Sequence, residues 1–158
     1  MATDYFLKID GIDGESTDAR HPNEIVVTSW SVGVTNAGGL PGGSGGGAGK
    51  ATLQTFHFTK PYDKASIPLF IAGCSGQRLK SATLVCRRAG DVPFDFLTIT
   101  LSDVSVTSDT TVGNAEGVLD QVSLLYARIL CSYAMQGPNG QALPPVAGGW
   151  DLVANRKL

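Results

Sequence analysis

The chain has 158 residues, 42% of them apolar and only 16% charged, with a formal net charge of −2. The length suits one domain with a sizeable core, and the charge balance leaves no electrostatic footprint for nucleic acid or an acidic membrane. No apolar run approaches the ~20 residues that cross a bilayer as a helix, and Met1-Ala-Thr-Asp-Tyr-Phe-Leu-Lys8 lacks the charged-then-apolar order of a secretory signal.

In chain order, Asp4–Ile9 alternates Tyr5, Leu7 and Ile9 against Phe6 and Lys8, the period of a strand. A polar loop follows, ending at Pro22-Asn23. Glu24–Val34 reads as one long strand. Its expected core face carries Val26, Thr28, Trp30, Val32 and Val34, and its other face Ile25, Val27, Ser29, Ser31 and Gly33. Residues 36–50 are so rich in glycine that neither a helix nor a central strand can form there, because glycine loses the most backbone freedom and packs no side chain. The simplest reading is an extended arm thrown out between two strands. Ala51–Thr59 alternates again, and Lys60-Pro61 stops it. Ser66 suits a helix N-cap, with Ile67, Phe70, Ile71 and Cys74 on one helical face and Gly73 and Gly76 at the end. Strands resume at Leu79–Arg88 and Phe94–Thr107. A polar loop over 108–117, a long strand Val118–Met135, a turn at Gly137-Pro-Asn-Gly140 and a last strand Trp150–Asn155 complete the chain. About seven strands and one short helix argue for a sandwich or barrel. A surface poorer in charge than the usual ~25%, with strands apolar on both faces, argues for burial against other subunits.

Nucleotide motifs fail inside the arm. A phosphate-binding loop needs glycine before Gly49-Lys50 and a hydroxyl after it, where Ser44 and Ala51 stand. Gly43-Ser-Gly-Gly-Gly-Ala48 fits a loose dinucleotide pattern, but that pattern needs a helix next, and Ala51–Phe58 reads as strand. His21 and His57 lack metal-ligand companions, and the odd trio Cys74, Cys86 and Cys131 has no paired spacing, so the thiols read as free, small, buried apolar groups. Asp103, Asp109 and Asp120 read as solvated carboxylates near strand ends. Arg87-Arg88 reads as a solvated strand end or an intersubunit pair. No nucleophile with an adjacent base is evident, so no enzyme and no cofactor is expected.

The opening Asp4-Tyr-Phe-Leu-Lys-Ile, then Gly-Glu-Ser16, Glu24-Ile25 leading to Ser29-Trp-Ser31, Gly-Gly-Ala-Gly-Lys50, Phe58-Thr-Lys60, Asp63-Lys64, Leu97–Leu101 and Gly149-Trp150 follow one another in a known order. The set resembles the tube protein of type VI secretion, the haemolysin-coregulated protein, over essentially the whole chain. The resemblance implies a mainly β fold, a two-sheet β-barrel with one short flanking α-helix, spanning 1–158 as a single domain. It implies a hexameric ring, rings stacked into an inner tube expelled by a contracting sheath, and partners among sheath, baseplate, spike and small effector proteins. It implies secretion without a signal peptide, with no nucleic acid and no membrane insertion. In such a ring Gly38, Leu40, Pro41, Gly43, Gly46 and Lys50 of the arm reach a neighbouring subunit or ring. Ser29 and Ser31 suit a wet lumen that touches cargo, because a buried hydroxyl without a partner costs ~1–3 kcal/mol. The alternative reading is a monomeric β-barrel that holds a ligand.

Overall fold

The computed structural model describes residues 2–36 and 51–158. The arm residues Gly38, Leu40, Pro41, Gly43, Gly46 and Lys50 lie outside them. The strands in chain order are β1 (Thr3–Ile9), β2 (Ile25–Val27), β3 (Ser29–Ser31), β4 (Val34–Asn36), β5 (Ala51–Leu53) and β6 (Phe56–Pro61). Helix α1 (Ser66–Ser75) follows, and then β7 (Leu79–Arg88), β8 (Phe94–Asn114), β9 (Gly117–Leu125), β10 (Arg128–Tyr133), β11 (Val146–Asp151) and β12 (Arg156–Lys157).

All pairings are antiparallel, and they make two faces that share one strand. The first sheet runs β12-β11-β10-β8-β7-β1-β2; the second runs β3-β6-β9-β8. The N-terminal part of β8 pairs β7 and β10, and its C-terminal part pairs β9. A separate ribbon, β4-β5, stands at the start of the arm. The two-sheet, mainly β reading with one helix holds. The ladder does not close among the described residues, so the wrap is barrel-like rather than a hydrogen-bonded cylinder.

Three runs turn from one sheet to the other; two of them, Glu24–Val34 and Val118–Met135, break there and so add strands, while β8 turns its corner unbroken. Each corner inserts one residue and flips which parity faces the core. In the first run Ile25 and Val27 are buried and Val26 is exposed, then Trp30 and Val32 turn inward. The expected face of Glu24–Val34 is therefore wrong before Thr28, right at Trp30 and Val32, and wrong again at Val34, which is 60% exposed. Thr28 makes the corner, its backbone N–H and its hydroxyl both donating to the Thr59 carbonyl at 2.9 Å. In β8, Ile99 and Leu101 are buried before the corner and Val104 and Val106 after it, with Asp103 between them at a φ of 53°. The third corner splits Val118–Met135 at Tyr126-Ala127, where Ala127 N–H donates to the Ser102 carbonyl at 2.9 Å. The Arg128 guanidinium meets the Asp103 carboxylate there at 2.8 Å. The expected polar loop over 108–117 is strand as far as Asn114 and pairs with β9, with only a tight turn to Gly117. Its polar residues sit on an exposed hairpin, where pairing is paid for by backbone hydrogen bonds and needs no apolar pattern.

The core lies between the two faces: Leu7, Ile9, Ile25 and Val27 from one side, Phe56, Phe58, Val122 and Leu124 from the other, with Leu84, Ile99 and Leu101 between them. Trp30 points inward as expected, edge-on to Tyr5 at 6.1 Å and stacked on Phe56 at 6.2 Å. Tyr126, buried, donates its hydroxyl to the Gln54 carbonyl at 2.7 Å, and burial pushes that phenol up to about 12.

Candidate assembly and cargo surfaces

Helix α1 begins one residue earlier than its sequence signal. Ala65 occupies the N-cap without a side-chain hydrogen bond. The expected cap, Ser66, is buried and uses its hydroxyl elsewhere. Pro68 sits in the first turn, where its missing N–H has no intrahelical partner to lose. Gly76 ends the helix at a φ of 67°, a left-handed conformation that glycine adopts at no steric cost. The face toward the core is narrow: Ala65, Leu69 and Ala72. Gly73 lets the helix settle on Val106, since a Cβ there would meet that side chain at 3.3 Å. The apolar face marked by Ile67, Phe70, Ile71 and Cys74 points outward. Ile67 is 59% exposed, Phe70 56% and Ile71 54%, and Cys74 is exposed beside them. The i, i+3, i+4 spacing is legible in the sequence, but the adjacent stripe Ala65, Leu69 and Ala72 is what fits against the sheet.

Beneath the helix N-terminus lies a charge cluster that sequence reasoning missed. Lys60 is 0% exposed and Asp120 1%. The Lys60 Nζ meets Asp63 Oδ1 at 2.7 Å, Ser66 Oγ at 2.7 Å and Asp120 Oδ2 at 3.1 Å. A buried ammonium is tolerable when its protons are all used and a counter-charge is in contact. Ser66 Oγ also accepts from the Asp63 N–H at 3.0 Å, and Asp63 Oδ1 accepts from Ala65 N–H at 2.9 Å, so one network fixes the first turn of α1 to β6 and β9. Burial alone would raise the Asp120 carboxyl. Hydrogen bonds from Ser66, Thr111 and Lys60, with the Lys60 charge, outweigh it and hold Asp120 below the ordinary carboxylate range. Asp109 goes the other way, pushed up by burial and by the Asp120 charge. Asp120 is thus not a solvated strand-end carboxylate. The signal was present: Lys60 shares its parity with Phe56 and Phe58, and Asp120 shares its own with Val122 and Leu124.

A second cluster pins the loop between β1 and β2. Arg87 is buried and forks onto Asp18 at 2.8 and 2.5 Å, with its guanidinium 4.7 Å over the Phe6 ring. The Arg87 contact holds the Asp18 carboxyl well below the usual range. His21 stacks on Phe6 at 4.5 Å and sits between Glu24 at 2.9 Å and Asp95 at 3.2 Å. Arg87 is therefore paired within its own chain, while Arg88 lies 4.9 Å over Phe96.

The outward face of the second sheet is different in kind. Cross-strand registers line up Ser31, His57, Ser123 and Ser108 in one row, and Ser29, Thr59, Gln121 and Thr110 in the next. Ser29, Ser31, His57, Gln121, Ser108 and Thr110 are exposed. Ser123, buried, is hydrogen-bonded to His57 Nδ1. The structure thus brings Ser29 and Ser31 together on one wet surface, with no carboxylate, ammonium or guanidinium in either row.

Burial pushes the Cys86 thiol up to about 11 and raises Cys131 as well, away from a reactive thiolate. Cys86 fits the expectation of a buried thiol, Cys131 is half-buried, and Cys74 is exposed and departs from it; all three are free. No group of His, Cys, Asp and Glu among the described residues could hold a metal ion, and none of their helices is long and apolar enough to cross a membrane. A strand, β5, stands where the loose dinucleotide pattern requires a helix.

In overall shape the chain is similar to solved proteins of type VI secretion. It superposes on a solved structure described as a type six secretion system protein with a TM-score of 0.93, at 30% identity over 99% of this chain and 100% of that one. The crystal structure of Hcp1 from Salmonella typhimurium gives a TM-score of 0.85 at 34% identity, covering 100% of both chains. Residues 6–133 match the family described as "Type VI secretion system effector, Hcp". Protein hcp1 of Pseudomonas aeruginosa is 38% identical over 159 aligned residues, 98% of each chain. The chain belongs to the Hcp family, the secreted tube proteins of type VI secretion.

Proposed function

We propose that this chain, residues 1–158 acting as one unit, closes head-to-tail into a hexameric ring, and that rings stack into the inner tube of the secretion apparatus. The observation that carries the reading is the outward apolar row on α1, Ile67, Phe70 and Ile71, which no part of the described chain covers. A subunit with such a row gains by burying it against a copy of itself, and a heterologous contact closes when the rotation divides a circle. Open strand edges at β12, β2 and β3 find partners in the same step. The uncharged face of the second sheet then lines the lumen, with Ser29 and Ser31 among the positions that touch cargo.

The role is mechanical. The contracting sheath supplies the work, the baseplate and spike set the start and tip of the tube, and small effector proteins ride inside. The protein is made in the cytoplasm and leaves with the tube. Sedimentation velocity and negative-stain imaging at tens of micromolar test this. The expected result is a discrete hexamer with a central hole, each contact burying more than about 1,000 Å². A monomer at every concentration overturns the ring and favours a ligand-holding barrel.

A further inference from the structure

The outward face of the second sheet carries one ionisable group. Its neighbours on β3 are Ser29 and Ser31, on β9 Gln121, Ser123 and Leu125, and on β8 Ser108 and Thr110. None of these titrates or bears charge. The charged residues of the same strands in this sheet, Lys60, Asp120 and Asp109, alternate with this face: Lys60 and Asp120 are buried, and Asp109, half-buried beside Val122, feels their charges. That leaves His57, exposed in the middle of the row and paired across the strand to Ser31.

His57 Nδ1 is hydrogen-bonded to Ser123 Oγ. A hydroxyl both donates and accepts, so this contact serves either protonation state: Ser123 donates to a neutral ring, and a charged ring donates to Ser123. The imidazole can therefore gain a proton without leaving its place. Its other nitrogen, Nε2, has no hydrogen bond among the described residues and is available to a partner. Histidine is the side chain whose charge ordinarily changes between about pH 5 and pH 8.

We infer that His57 makes the neutral outward face of the second sheet a pH-dependent docking surface for an acidic polypeptide segment. Charge complementarity carries the choice of occupant. The face has only hydroxyls and amides when His57 is neutral, and its one acquired charge is positive. Among the described residues it has no Lys or Arg to track phosphates, so a carboxylate-bearing protein segment fits it better than a nucleic acid. The inference rests on the reading of this face as the cargo surface. In a hexamer the same imidazole recurs around the lumen, where low-dielectric walls concentrate its field.

The test titrates purified protein with a fluorescein-labelled oligoglutamate peptide, using oligoglutamine of equal length as the neutral control, at about pH 6 and about pH 8. Wild type is expected to bind the acidic peptide roughly two- to fivefold more tightly at the lower pH, the weight of one exposed charge contact, and the neutral peptide equally at both. His57→Gln removes the pH response, and His57→Lys binds the acidic peptide at both pH values. An undiminished response in His57→Gln, or no response in wild type, overturns the inference. Sedimentation in the same buffers separates the two claims: absent rings sink the ring reading, while the peptide response still decides the role of His57.

Discussion

Helix α1 and the second sheet both present uncovered outward faces, yet the chemistry of the two is opposite. On α1 the outward row is Ile67, Phe70 and Ile71; on the sheet it is Ser29, Ser31, His57, Gln121 and Thr110. Water tolerates the second face indefinitely and charges a free-energy cost of about 25 cal/mol for each Å² of the first. The contrast assigns different fates to them, the helix face to contact between copies and the sheet face to a wet channel. The two are tied together by the buried Lys60–Asp120–Asp63–Ser66 network, which fixes the first turn of the helix to β6 and β9 of that sheet.

The largest expected effect breaks that support. Lys60→Met leaves Asp120 and Asp63 without their counter-charge, and removing one partner of a buried pair costs about 3–5 kcal/mol. Urea unfolding should show the loss, and Lys60→Met with Asp120→Leu should recover much of it. A single variant as stable as wild type would mean that the network does not hold α1 in place.

Next in size is the helix face itself. Phe70→Glu keeps the fold, since Phe70 touches little of its own core, and places a charge in the proposed contact. Truncating or reversing an interface anchor costs about 2–4 kcal/mol, a roughly 30- to 1,000-fold weaker association. Circular dichroism should be unchanged while sedimentation shifts to monomer. Rings that survive Phe70→Glu place the contact elsewhere.

The pattern of what the sequence disclosed follows from the same geometry. β1 and the start of β8 each lie within one sheet, so their alternation stays in phase and reads correctly. The runs through Thr28, Asp103 and Tyr126 turn corners, and an added residue at each corner flips the faces, which a period-2 reading cannot foresee. The helix and its apolar row are legible, but which stripe faces inward is not, because Ala65, Leu69 and Ala72 together carry less hydrophobic signal than the row beside them. Ser29 and Ser31 were placed on a polar surface by their size and chemistry. His57 and Lys60 needed the strand register to show that one faces water and the other does not.

A smaller effect lies away from both faces and serves as their control. The Arg87 contact keeps the Asp18 carboxyl below its ordinary value, so the pair contributes stability above the unfolded-state value of about 3.9 and loses it as pH falls below that. Asp18→Asn should lower stability at neutral pH and flatten its dependence on pH below about 4. An acid limb as steep as in wild type would assign it to other carboxylates, with Asp120, also held low, the first to examine. Smallest of all for the fold is Ser31→Gln, on the exposed sheet face. It should leave stability and rings intact and reduce the cargo that co-purifies. Unchanged cargo would remove Ser31 from the proposed contact.

The contrast between the two faces is tested most directly by hydroxyl-radical footprinting of assembled wild-type protein against the Phe70→Glu subunit, read residue by residue by mass spectrometry. The account predicts strong protection in the assembly at Ile67, Ile71 and Cys74, with His57 and Leu125 on the sheet face nearly as reactive as in the lone subunit. Protection centred on His57 and Leu125, with the α1 row still open to solvent, would contradict it.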